Sequence, residues 1–121
     1  MIEYRLFVYG TLKPGCENDS ILKEIGGDFK KATLFGFTFD KKWERKTGYP
    51  GLIASHAKSK VEGYLFTSAK LEHNWRIIDN FETNMYNRTE VVIELNNNLH
   101  LAAYTYLINP NFKIANTQNI I

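Results

Sequence analysis

Residues 4–9 constrain the fold more than any other stretch, because Tyr4, Leu6 and Val8 alternate with Arg5, Phe7 and Tyr9. The pattern describes a strand apolar on both faces and therefore internal, with something packed on each side. It runs directly into Gly10-Thr11-Leu12-Lys13-Pro14-Gly15. Gly10 lets the backbone leave the strand at an angle that a side chain would oppose, and Pro14-Gly15 closes the turn. The N–H groups of Gly10, Thr11 and Leu12 then have no strand partner, so water or a ligand oxygen is their natural acceptor. On its own the loop reads first as an ordinary turn and second as a ligand seat. It is not a phosphate loop, since the Gly-x4-Gly-Lys-Ser/Thr order is absent.

Further along, Asn18 to Ile25 predicts a short helix with Asn18 or Asp19 as its cap and Gly26-Gly27 as its stop. Residues Phe29 to Phe39 read as one long bent strand, with Gly36 as a bulge or close-packing point. Asp40 to Thr47 is charged and reads as a loop, and Tyr49-Pro50-Gly51 as a turn into the brief strand Leu52-Ile53-Ala54. Val61 to Phe66 is a strand in which Gly63 leaves room for a neighbouring backbone or ligand. Thr67 or Ser68 caps the next helix, along which Leu71, Trp75 and Ile78 form one apolar stripe. Asn87 to Leu95 and Leu99 to Ile108 form a hairpin turned by Asn96-Asn97-Asn98, because asparagine tolerates the left-handed conformation such a turn demands. The tail from Asn109 to Ile121 is polar and aperiodic and carries no assignment.

The chain of 121 residues, 44% hydrophobic, suffices for one core and predicts a single domain over 1–121. A net charge of +2 on a mixed surface, with no basic face interleaved with aromatics, argues against nucleic acid and for a small-molecule partner. Cys16 is the only cysteine, so an internal disulfide is excluded and a reducing compartment fits best. No apolar run is long enough to cross a bilayer, and Met1 leads directly into a strand without a leader. The expectation is a cytoplasmic monomer.

Catalysis needs a titratable group in a dry place, and Glu82 is the charged residue that falls where the pattern calls for an apolar one. Counted from Leu71 at 100° per residue it returns to within about 20° of the apolar stripe. If the helix persists that far, burial and the negative helix end both raise its pKa towards the range of a proton shuttle. If the helix stops near Asn80, Glu82 instead pairs with Arg88 on the surface. The sequence leaves both open. Tyr86 and Arg88 lie just beyond it, as packing and surface-pair residues or as supports of the glutamate or pocket wall. Asp79 reads as a stabiliser of the local turn, Trp43 as loop cover and Trp75 as core. Cys16 could line a pocket, but nothing adjacent would activate it. His56, His73 and His100 sit on three different elements without metal-ligand spacing.

Taken in order, several stretches resemble the gamma-glutamylcyclotransferase-like family. They are Val8-Tyr9-Gly10-Thr11-Leu12-Lys13-Pro14-Gly15, Tyr49-Pro50-Gly51, Val61-Glu62-Gly63-Tyr64-Leu65-Phe66, Ile78-Asp79-Asn80-Phe81-Glu82 with Tyr86-Asn87-Arg88, and Ala103-Tyr104-Thr105-Tyr106. The Thr in the loop and the Lys-x-Gly after it look more like the AIG2-like, gamma-glutamylamine cyclotransferase branch. The chain departs from the family pattern between Asp40 and Tyr49, and at Thr83, which stands where the family carries a glycine after the glutamate. The resemblance implies an α+β fold built on a small, partly closed mixed β-barrel with helices packed against it. It implies cyclisation of a gamma-glutamyl group to 5-oxoproline with release of an amine, without metal or cofactor. Glu82 would be the general acid–base, Tyr9, Gly10, Thr11 and Leu12 the substrate-binding loop, and Tyr86 and Arg88 pocket supports. A member that keeps the pocket only to bind a small metabolite is the alternative.

Overall fold

The computed structural model describes residues 2–113, so most of the tail beyond Asn109 lies outside the described residues. In chain order the elements are β1 Arg5–Val8, α1 Ser20–Ile25, β2 Asp28–Phe35, β3 Phe37–Phe39, α2 Lys41–Thr47, β4 Leu52–Ala54, β5 Lys60–Thr67, α3 Trp75–Glu82, β6 Tyr86–Leu95 and β7 His100–Ile108. Five strands close a barrel in the order β1-β5-β2-β6-β7, and β3 and β4 form a separate two-stranded sheet. All pairings in the barrel are antiparallel except the seam, where β1 meets β7 in parallel through Leu6 and Tyr104. The fold is α+β on a closed mixed barrel. No described helix is long and apolar enough to cross a membrane.

The double-sided apolar pattern of β1 has a direct cause. Phe7 points into the barrel, where it packs with Ala32, Leu34, Val61, Leu65, Ile93 and Ala103. Leu6 and Val8 face outward into a second cluster with Leu22 and Ile25 of α1 and Trp75 and Ile78 of α3. The strand is thus sandwiched between the barrel interior and the helices. Gly63 on β5 makes the close pairing with β1 feasible: a Cβ there would lie 2.3 Å from the Val8 carbonyl oxygen and 2.9 Å from the Phe7 ring. At the far end, the β6–β7 hairpin turns with Asn98 at φ 63°, the conformation asked of the asparagine run.

Four local expectations are corrected. The charged segment from Asp40 is helical and not a loop: Asp40, itself extended, accepts from the N–H groups of Lys42 at 3.0 Å and Trp43 at 3.3 Å, and Gly48 ends the helix at φ 81°. Trp43 is its one buried residue, so no periodic stripe announced it. The long strand breaks at Gly36, which takes φ 88°, so its two halves enter different sheets instead of sharing a bulge. Asp19 occupies the N-cap position of α1 but makes no capping bond; its carboxylate accepts from Gly15 N–H at 2.8 Å, bracing the loop. Similarly, Ser68 does not cap α3, whose N-cap position is Asn74; its hydroxyl oxygen accepts from Lys70 N–H at 3.1 Å, just ahead of a separate 3-10 turn at Leu71–His73.

Candidate active site

β1 ends at Val8 and releases residues 9–12 at the mouth of a cavity of about 270 Å³. The loop is held from below by Asn18, whose side-chain amide donates to Thr11 Oγ1 at 3.0 Å while its backbone N–H donates to the Thr11 carbonyl at 2.9 Å. The N–H groups of Gly10, Thr11 and Leu12 donate to none of the described residues. α3 persists through Glu82, which resolves the two sequence readings in favour of the longer helix, and Glu82 lines the same cavity as Tyr9, Gly10, Thr11 and Leu12. Chain-distant segments therefore converge.

Glu82 is half-buried, and its pKa is pushed up to about 7, chiefly by burial and secondarily by the negative charge of Asp79 one turn earlier on α3. Among the described residues no hydrogen bond to the carboxylate opposes these two effects. The group is therefore close to half ionised near neutral pH, where a carboxyl can both take and return a proton.

Asp79 does not simply brace a turn. Arg88 grips it with Nε at 3.1 Å and Nη2 at 3.2 Å, and the Tyr106 hydroxyl donates to the same carboxylate at 2.5 Å. Arg88 is fixed in turn over the rings of Trp75, 4.4 Å from its guanidinium carbon, and Tyr104, at 4.9 Å. Arg88 thus pairs with Asp79 and not with Glu82, and it lines an adjoining groove instead of the cavity. Tyr86 does form the cavity wall: its hydroxyl donates to the Pro50 carbonyl at 2.7 Å and accepts from Trp43 Nε1 at 3.3 Å. The Tyr9 hydroxyl donates to the Tyr106 carbonyl at 2.5 Å. Burial raises the pKa of Tyr9, Tyr86 and Tyr106 above the ordinary phenol value, so all three stay protonated as donors.

Sequence reasoning missed Asn18, Tyr106 and Pro50 as parts of the site. Asn18 carried a signal, being the polar residue between loop and helix, but it reads equally well as a cap. Cys16 is half-buried and does not line the cavity. His100 pairs with Glu94 at 3.1 Å, His73 lies 3.9 Å from Glu72, and His56 contacts Ser59. Among the described residues no three His, Cys, Asp or Glu side chains are grouped to hold a metal ion.

Residues 6–120 match the family model described as gamma-glutamyl cyclotransferase, AIG2-like. A protein of Niallia circulans, named gamma-L-glutamyl-butirosin B gamma-glutamyl cyclotransferase, is 30% identical over 108 residues; the match covers 86% of this chain and 66% of that one. The chain thus spans slightly under two thirds of that relative's length. Among solved structures, one from Arabidopsis thaliana is 25% identical with a TM-score of 0.66, covering 91% of this chain and 71% of the other. An AIG2-like protein of Mus musculus shares the fold at 20% identity, with a TM-score of 0.66 over 91% of this chain and 79% of that one.

Proposed function

Because the chain belongs to the gamma-glutamyl cyclotransferase, AIG2-like family, we propose that it converts a gamma-glutamyl amine or short gamma-glutamyl peptide into 5-oxoproline and the free amine. The observation that carries this reading is the meeting of Glu82 and the Tyr9–Leu12 loop on one cavity. In the reaction the substrate's α-nitrogen attacks its own γ-carbonyl carbon, a new C–N bond closes the five-membered ring, and the old bond to the leaving nitrogen breaks. Attacking as the neutral amine, the α-nitrogen loses one proton as it bonds, and the leaving nitrogen gains one as the old bond breaks. Glu82 takes the first proton and returns one to the leaving amine.

The remaining tasks are positional. Folding the flexible glutamyl chain so that its two ends meet supplies on the order of 7–11 kcal/mol in the best intramolecular cases. The N–H groups of Gly10, Thr11 and Leu12, which donate to none of the described residues, are suited to hold the glutamyl oxygens and to face the developing oxyanion. Tyr86 and Tyr9 keep the wall rigid through their bonds to Pro50 and Tyr106. Arg88 contributes at one remove, by holding Asp79 beside the glutamate.

A panel of gamma-glutamyl amines and dipeptides, assayed for 5-oxoproline, tests the activity. Release from at least one compound is expected. Tight binding without release from any of them would favour a non-catalytic binding protein.

A further inference from the structure

The cyclotransferase reading, on which the following rests, leaves the leaving amine undefined, but the charges around the cavity narrow it. Among the described residues that line the cavity, the backbone donors open to an anion are the amides of Gly10, Thr11 and Leu12, which donate to none of the described residues. No lysine, arginine or histidine is among the described residues that line it, and residues 114–121 contain none. Its charged side chains are Glu82 and, exposed at the mouth, Glu17. Arg88 lies behind the wall and is already paired with Asp79. The exposed rings of Tyr49 and Phe81 complete the rim.

A gamma-glutamyl group brings its own α-carboxylate and its reacting γ-carbonyl oxygen, which between them occupy these amides. A leaving amino acid would bring a second carboxylate, with no cation to pair it and Glu17 to repel it. An amine that ends in an alkyl group meets no such conflict, and one that ends in a second ammonium gains attraction to Glu17 and to the aromatic faces of the rim. We propose that the site selects gamma-glutamyl derivatives whose leaving amine lacks a carboxylate, favours those bearing a second protonated amino group, and reads that charge through Glu17.

Three gamma-glutamyl compounds of matched length test this: those of propylamine, trimethylenediamine and β-alanine. Their binding to the parent protein, Glu17→Gln and Glu17→Lys is measured by calorimetry, with 5-oxoproline release followed in parallel. The parent is expected to bind the first two at least about tenfold more tightly than the β-alanine compound. Glu17→Gln should erase most of the preference for the diamine compound over the propylamine compound, a preference that added salt should also weaken, and Glu17→Lys should improve β-alanine binding. Equal binding of all three, binding of none, or a ranking untouched by both substitutions would overturn the proposal. The expected ranking without any 5-oxoproline release would keep the charge selection and remove the cyclotransferase reading.

Discussion

At the scale of single residues, Glu82 sets both chemistry and a stability cost. Its folded pKa of about 7 lies above the ordinary 4.5, so its contribution to stability is fully present below about pH 4.5 and is lost as pH rises through about 7. Glu82→Gln removes that loss. The variant should therefore gain on the parent by on the order of 3 kcal/mol between about pH 4.5 and about pH 8, read from denaturant unfolding at each pH. A difference that stays flat with pH would mean that the carboxyl is well hydrated. Part of this arrangement was legible in the sequence: Glu82 follows the buried Trp75 and Ile78 at helical spacing along α3, although the 100° count was taken from Leu71, which lies in a separate 3-10 turn. The Asp79–Arg88–Tyr106 cluster was not, because it joins α3 to β6 and β7, and no local period reports which strands close against a helix.

At the scale of elements, the strands announced themselves where burial is strong and periodic, as in β1 and the β6–β7 hairpin. α2 did not, since one buried tryptophan and a capping aspartate leave no stripe to find. The break at Gly36 was visible as a glycine but not as a change of sheet, which depends on β4 being available as a partner. The end of α3 holds a strained backbone position. Thr83 takes φ 62° and ψ −167°, a region that only glycine enters freely. Its hydroxyl accepts from Met85 N–H at 3.2 Å, which offsets part of the strain and helps fix the turn that follows Glu82. Strain of this kind costs about 1–3 kcal/mol, and a glycine gives back roughly 0.5–1 kcal/mol in chain entropy. Thr83→Gly should thus raise the urea midpoint by about 1 kcal/mol in free-energy terms, and a lowered midpoint would show that the hydroxyl contact outweighs the strain.

At the scale of the whole molecule, barrel closure brings the β1 loop, the end of α3 and the wall from β6 and β7 to one cavity. The central claim is that this convergence performs a proton-coupled cyclisation in which Glu82 moves the proton. Glu82→Gln keeps the size and much of the hydrogen-bonding shape of the side chain but exchanges no proton near neutral pH. The most direct measurement compares parent and Glu82→Gln for 5-oxoproline release on a turned-over gamma-glutamyl compound, with binding of that compound measured on both. The account predicts a fall in turnover of about a hundred- to ten-thousand-fold with binding largely retained. Turnover at the parent rate would contradict it, and would leave the carboxylate a structural group beside a site that uses another base.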